Sequence, residues 1–287
     1  SRQLLPFMGM PIQKGAIAPI YAYPSLIPFQ DYVNESFTKG HINIQSDSDG
    51  VYRHYPLLLK LELGYLPALP FSTFLQNINV ALEEIIVDWG REITILAKAK
   101  NKLSQDLVIP IDRQGRVYIP FSDFFENEKK SFKMMSLESF LTYSEDINFE
   151  KSLQEQFGGA FVFVGSSSQN EQNIGKTALG DRVPLVLFHA AFLNSLLTES
   201  FYKDWSLVEA LILVFTISFL FTYAAIYKST KYLYSCGVLS IIGLTALTWF
   251  QFIDFRLFPL ISTTGSVLFM LSGMAVGISQ KTNEHIG

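Results

Sequence analysis

The chain has 287 residues, a formal net charge of −4 and one cysteine, and 49% of its residues are hydrophobic. This balance gives no basic surface for nucleic acid, and one cysteine excludes a disulfide framework and a cysteine-based metal site. The histidines show no i, i+3 or i+4 pairing, so we expect no metal ion and no cofactor.

The first 40 residues predict little regular structure. Residues 1–28 are rich in proline and predict an irregular segment with one short strand near 15–23. A short helix is predicted over 26–37, with Gly40 just beyond its end.

The clearest local signal follows Gly40. Two alternating stretches, 41–45 and 51–55, flank an Asp-Gly sequence, which is typical of a β-hairpin because glycine tolerates a positive φ. A calcium loop of the EF-hand type would place Gln45 and Pro56 at ligand positions, so the pattern favours a turn. The residues predicted to build this structural turn are Asp47, Asp49, Gly50 and Arg53.

The remaining front part, up to residue 206, predicts strands and helices in alternation. Periodicity and turn residues predict these elements in order: a strand over 57–63, a helix over 71–84, hairpins over 85–87 with 92–96 and 107–111 with 116–119, a helix over 132–141, a buried strand over 160–164, and a helix over 185–197. The predicted fold class is therefore an α+β domain with a mixed sheet as its spine.

A serine-rich turn follows the predicted buried strand. Ligands often sit at the carboxyl ends of such strands, so Ser166 and Ser167 are candidate ligand-binding residues. His189 is the nearest base, but no acidic partner that would orient it is evident, so no residue is assigned as catalytic. Gly175-Lys176-Thr177 lacks the glycine and the helix that a phosphate-binding loop requires.

The last third of the chain contains three apolar segments, 207–227, 232–253 and 257–278. Each is long enough to cross a hydrocarbon core of about 30 Å as a helix. Three buried helices of a soluble core are the alternative, but charged residues are absent for long stretches. We therefore predict three transmembrane helices and assign 279–287 as the start of a cytoplasmic linker.

The charges in the breaks between these segments predict the orientation. Lys228 and Lys231 lie in the first break, whereas Asp254 and Arg256 roughly cancel in the second. By the positive-inside rule the first break and the tail face the cytoplasm. Residues 1–206 are then extracytoplasmic, and their export predicts an anchor or signal upstream of Ser1.

Several motifs, taken in order, resemble a CHASE2 domain. The three predicted transmembrane helices follow these motifs in the chain, as is usual in that family. The motifs are Gly40-His41-Ile42-Asn43, Asp47-Ser48-Asp49-Gly50-Val51-Tyr52-Arg53, Pro56-Leu57-Leu58, Val162-Phe163-Val164-Gly165-Ser166-Ser167, Thr177-Ala178-Leu179-Gly180, and His189-Ala190 with Asn194 and Leu196-Leu197.

The resemblance implies an extracytoplasmic sensory domain of bacterial membrane receptors, located in the inner membrane. It also implies that the first strands of the domain lie upstream of Ser1 and that a cytoplasmic output follows, with a nucleotide cyclase favoured over a kinase. The matching His-Ala helix adds His189 and Asn194 to the candidate ligand-binding residues. Val186-Leu187-Phe188 departs from the family pattern, which leaves the ligand open.

Three functions remain open from the sequence. The first is a receptor with an unknown extracytoplasmic ligand or protein partner, embedded in the lipid bilayer and expected to be a homodimer. The second is a membrane-anchored interaction or dimerisation module. The third is a membrane enzyme with its site around Ser166, Ser167 and His189.

Overall fold

The computed structural model describes residues 8–15, 36–120, 132–144, 149–166, 174–177, 180–227, 230–253 and 256–284. The chain divides into two compact units, Ser1–Phe201 and Tyr202–Gly287. The first unit mixes strands and helices, which confirms the α+β class, and the second is dominated by helices.

The first unit contains eleven of the described strands, most of them short. In chain order they are β1 (Ile12–Lys14), β2 (Val51–Tyr52), β3 (His54–Pro56), β4 (Leu58–Leu61), β5 (Gly64–Pro67), β6 (Ile86–Asp88), β7 (Glu92–Ile95), β8 (Leu107–Pro110), β9 (Arg116–Tyr118), β10 (Ile174–Thr177) and β11 (Gly180–Pro184).

These strands form several small sheets. The largest has the order β1-β6-β7-β8, in which β1 pairs with β6 in parallel and the other neighbours are antiparallel. A second sheet has the order β11-β10-β2, and β3 with β9 and β4 with β5 form antiparallel pairs. The predicted hairpin of 85–87 with 92–96 is confirmed as β6 and β7.

Four helices of the first unit are described: α1 (Leu69–Asn77), α2 (Leu137–Ser144), α3 (Phe149–Phe157) and α4 (Leu185–Leu197). The helix predicted over 185–197 is confirmed as α4 with the same bounds. The helix predicted over 71–84 ends early, because Asn79 adopts a left-handed φ of 57° and its side chain donates to the Lys100 carbonyl. A single 3₁₀ turn, Leu82–Glu84, follows.

Two predicted hairpins are wrong in their partners. Beyond one bond from Asp47 N to Val51 O, the strand after the first turn does not pair with 41–45, and β2 instead runs parallel to β10. The strands of the second predicted hairpin exist, but β8 pairs with β7 and β9 pairs with β3. Long-range pairing overrides a local turn because each strand takes the neighbour that covers its apolar face.

The buried strand predicted over 160–164 is also wrong. Residues 160–166 form no strand, and Val164 is 91% exposed. An apolar run becomes a strand only where a neighbouring backbone supplies hydrogen bonds. The helix predicted over 132–141 is displaced to 137–144, and the elements predicted over 15–23 and 26–37 lie almost entirely outside the described residues.

One apolar core holds the first unit together. Helices α1 and α4 pack on each other, and Phe71, Phe74, Phe188 and Phe192 are buried at the positions where a helix faces a core. Tyr55 of β3 is completely buried in the same cluster. This core is the surrounding of the polar groups described below.

The second unit is a bundle of three helices that contact one another pairwise. They are α5 (Leu207–Tyr227), α6 (Thr230–Ile253) and α7 (Leu260–Glu284), so each predicted span is a helix. Two short strands, β12 (Lys203–Asp204) and β13 (Arg256–Leu257), pair in parallel. A small core of Ile217, Phe221, Leu244, Phe258 and Val267 lies between the helices.

Among the described residues, one helical window, Tyr234–Gln251, is both long and apolar enough to cross a membrane. The apolar parts of the other two bundle helices, Val208–Tyr223 and Thr263–Met274, are shorter. The three-span prediction is thus supported for one helix by length and composition.

Candidate functional site

Two histidines and a tyrosine form a polar cluster inside the apolar core of the first unit. Alternation along β3 turns His54 outward and Tyr55 inward, and the helical period of α4 places His189 beside Phe188. His41 is fixed by its backbone, since its N–H donates to the Pro67 carbonyl and its carbonyl accepts from Leu69 N.

Tyr55 is the centre of the cluster. Its Oη lies 2.6 Å from His189 Nδ1, and its ring stacks on Phe192 at a centroid distance of 4.7 Å. The His41 ring is nearly parallel to the Tyr55 ring, with 6.4 Å between the centroids. One aromatic side chain therefore separates the two histidines.

The surroundings keep all three groups neutral. Burial raises the pKa of the Tyr55 hydroxyl well above its ordinary value. Burial also lowers the pKa of His189 to about 4. The pKa of His41 falls to about 3, first because of burial and second because a charge on His189 would repel it.

His41 differs from the other two in its hydrogen bonding. Neither ring nitrogen makes a well-formed hydrogen bond in the part of the chain that the structure describes, although the residue is only 7% exposed. The Leu57 backbone interacts with the ring and raises its pKa, but burial has the larger effect. A buried polar atom without a partner is costly and most buried polar groups avoid it. His41 is therefore a poorly compensated polar group in the core.

A second polar cluster joins two turns at the surface. Asp47 accepts from Arg53 Nη1 at 3.3 Å and from Arg116 Nη1 at 3.2 Å, and its Oδ1 lies 2.8 Å from His54 Nδ1. Arg116 Nε also donates to Asp112 at 2.8 Å. The carboxylate of Asp47 thus links the turn before β2 to the turn before β9.

The other residues of the first turn stabilise its backbone conformation. Gly50 has a φ of 80°, and the Asp49 side chain accepts from Val51 N. The hydrogen bond from Arg53 to Asp49 is the main reason that the pKa of this carboxyl falls to about 2. Because these charges satisfy one another, the cluster acts as a brace between turns.

The predicted ligand-binding residues lie in different surroundings. Ser166 is exposed at the end of segment 160–166, which has no regular secondary structure, and Ser167 lies outside the described residues. His189 and Asn194 are half-buried on α4, and His189 Nδ1 is engaged by a phenol. The ligand-binding role of all four stays a prediction.

Sequence reasoning missed His41 and Tyr55, the partners of His189. Tyr55 and His189 are far apart in the chain, and nothing in the spacing of either links them. The available signal was the alternation along β3, which turns Tyr55 toward the core and the neighbouring His54 away from it. No group of three or more His, Cys, Asp or Glu side chains in the described part is placed to hold a metal ion.

Comparison with known families identifies the chain. The family model described as the CHASE2 domain matches residues 14–223, which include the polar cluster and both braced turns. No curated protein and no solved structure matches the chain. The chain belongs to the CHASE2 family, whose domains are extracellular sensory domains of signalling receptors.

Proposed function

We propose that the chain is the sensory and membrane-spanning part of a bacterial transmembrane signalling receptor. Its CHASE2 domain receives an extracytoplasmic stimulus, and α5, α6 and α7 cross the inner membrane. They carry the signal to a cytoplasmic output domain beyond Gly287, with a nucleotide cyclase favoured over a kinase. The observation that carries the proposal is a sensory domain followed directly by a three-helix bundle with apolar outer faces.

The outer faces of the bundle support lipid as its surroundings. Phe215 and Phe219 on α5, Trp249 on α6 and Phe269 on α7 are each at least 69% exposed. A bundle in water would present polar side chains at such positions. Helices of 21, 24 and 25 residues also have the length to cross the hydrocarbon core, even where their apolar parts are shorter.

The pairing of β12 with β13 supports the proposed topology. It brings the entry to α5 and the connection between α6 and α7 to the same end of the bundle. Trp205 reinforces this end, since its Nε1 donates to Gln251 Oε1 at 3.4 Å and its ring meets Phe258 edge-on at 4.8 Å. With the sensory domain outside, three crossings place the chain beyond α7 in the cytoplasm.

A homodimer is a second element of the proposal. Segment 160–166 forms no strand and leaves Phe161, Val162 and Val164 at least 41% exposed. An exposed apolar segment without a strand partner can pair with a second copy, which would let two receptors associate through their sensory domains. Sedimentation of the full chain in detergent tests this, and a strict monomer at high concentration would contradict it.

A reversible disulfide tests the coupling on which the receptor function depends. Cysteines replace Lys203 and Arg256, which are register partners, in a Cys236→Ser background that carries a cyclase catalytic domain after Gly287. Locking β12 to β13 should change cyclase output severalfold between oxidised and reduced samples. The matched control is a Leu59→Cys and Leu66→Cys pair across β4 and β5, which should leave output unchanged. Equal output in both states of the first pair would count against a receptor.

A further inference from the structure

His41 and His189 together have the features of a proton-binding site. His41 and His189 flank one tyrosine, both are neutral, and the ring nitrogens of His41 make no well-formed hydrogen bond among the described residues. Histidine is the side chain whose ordinary pKa lies nearest neutrality, so its charge changes over the acid range that an exported domain meets.

We propose that His41 and His189 form a proton-binding site whose protonation opens the packing of β3 against α4, which makes acid a stimulus of this sensory domain. The inference rests on the proposed receptor function and names a stimulus for it. In the closed form, which the structure represents, both imidazoles are neutral, His41 is buried and His189 is half-buried. In the open form they contact water.

No carboxylate among the described residues acts on the pKa of either histidine, so none would hold a protonated histidine in the core. Among the described residues, α1, α4, β3 and segment 36–44 contain no Asp or Glu. The ionisable groups these elements bring near the pair are Tyr55 and Lys39, and burial lowers the pKa of Lys39 as well. His54 and, on β9, Arg116 belong to the Asp47 brace.

The two histidines also oppose each other. A charge on His189 lowers the pKa of His41, so a second proton on the closed form is disfavoured further. Tyr55 cannot relieve this, since its pKa is raised and it stays neutral in acid. The protonated closed form is left with an unpaired buried charge, which a buried site tolerates poorly.

The size of the response follows from linkage. A group that binds protons near pH 6.5 in the open form and only near pH 3 to 4 in the closed form favours opening as the pH falls below 6.5. Each histidine contributes up to about tenfold in the open-to-closed ratio per pH unit in this window. Two histidines together approach a hundredfold, which is enough to shift a population strongly.

The test uses the full chain in lipid nanodiscs, with amide hydrogen exchange corrected for the intrinsic pH effect. Between pH 7.5 and pH 5.0, protection of β3 and α4 should fall at least tenfold in the wild type. In the double variant, His41→Phe keeps an aromatic ring at position 41, and His189→Gln keeps a hydrogen-bond acceptor for Tyr55. The double variant should abolish most of the loss of protection. His54→Gln, outside the core, is the control and should respond like the wild type.

Two results would overturn the proposal. One is an equal loss of protection in the wild type and the double variant. The other comes from ¹³C-histidine NMR, in which four histidines allow assignment by single substitution: ordinary pKa values near 6.5 for both His41 and His189 would show that the core does not exclude their charge. If the double variant fails to fold, Tyr55→Phe, which keeps both histidines, must still respond to acid.

The outcome is separable from that of the receptor function. Acid opening without any effect of the β12–β13 disulfide on output would leave the proton site standing and reject the receptor. A disulfide effect on output without acid opening would keep the receptor and reject the proton as its stimulus.

Discussion

Tyr55 and His189 are 134 positions apart in the sequence and are joined by a hydrogen bond of 2.6 Å between Oη and Nδ1. This bond ties β3 to α4, the helix that precedes the three-helix bundle in the chain. It crosses the interior beside His41, so the core of the sensory domain carries polar groups where an apolar core would be more stable.

Removing the tyrosine hydroxyl tests the importance of this bond. Tyr55→Phe leaves His189 Nδ1 without its partner in a mostly apolar surrounding. We expect the free energy of unfolding to fall by about 1–3 kcal/mol, as for other buried polar groups that lose a partner. Chemical denaturation in detergent measures it. Tyr52→Phe is the matched control because the described residues give its hydroxyl no hydrogen bond, and equal effects in both variants would contradict the account.

Asp47 should be the most important member of the surface brace. Asp47→Ala removes the acceptor shared by Arg53, His54 and Arg116. Arg53 keeps Asp49 and Arg116 keeps Asp112, but the link between the two turns is lost. We expect a loss of about 1–3 kcal/mol in the free energy of unfolding, between the values for exposed and buried ion pairs. Arg116→Met in a double-mutant cycle should show coupling to Asp47. Additive effects of the two substitutions would contradict a shared brace.

The ion pairs of Glu84 are the control for this prediction. Hydrogen bonds from Lys100 lower the pKa of the Glu84 carboxyl to about 2, yet its partners Lys98 and Lys100 are well exposed. Water screens pairs of this kind. Glu84→Gln should therefore change stability much less than Asp47→Ala.

The pH dependence of stability follows from the direction of the shifts. The pKa values of His41 and His189 are lowered on folding, so their contribution is complete above about pH 6.5 and is lost as the pH falls. We expect a loss of about 1 kcal/mol per pH unit for each histidine between pH 6.5 and pH 4.5. The lowered pKa of Asp49 adds a further loss only as the pH falls below its ordinary value of 3.8 toward 2.

Unfolding curves at pH 7.0, 5.5 and 4.5 measure this dependence. His41→Phe should reduce the slope above pH 4.5, whereas Asp49→Asn should leave that part of the profile unchanged. A wild-type profile that is flat down to pH 4.5 would show that the pKa values of the interior histidines are the same in the folded and the unfolded chain.

Helix packing in the bundle gives a prediction with a control on the same helix. A Cβ at Gly237 would lie 2.5 Å from Leu271 Cδ1, so α6 and α7 approach closely there. Small residues permit such approach in membranes. Gly237→Leu should lower resistance to unfolding in SDS by about 1–3 kcal/mol, as overpacking does. Gly243 has no atom within 4 Å of such a Cβ, so Gly243→Leu should be nearly neutral.

Local patterns predicted the elements better than their partners. The helices over 185–197 and 207–227 and the hairpin of β6 with β7 follow from apolar periods and turn residues that the chain carries locally. The parallel pair of β2 with β10 joins residues more than 120 positions apart, and no local period specifies it. The exposed segment 160–166 shows the same limit, because an apolar sequence alone does not specify which backbone would pair with it.

The candidate site shows this limit more strongly. The residues of the first turn, Asp47, Asp49, Gly50 and Arg53, were evident from the Asp-Gly pattern. Arg116 completes their brace from a second turn, and His41 and Tyr55 complete the cluster of His189 from two other segments. A polar group in a core becomes visible only when the fold brings its neighbours together.

The position of the chain end tests the receptor function most directly. Paired reporters, one active only in the cytoplasm and one only after export, are fused after Gly287 and, separately, inserted between Asp254 and Arg256. Three crossings with an exported sensory domain predict cytoplasmic activity after Gly287 and exported activity in the connection between α6 and α7. An exported reporter after Gly287 would place sensor and output on the same side and contradict the account.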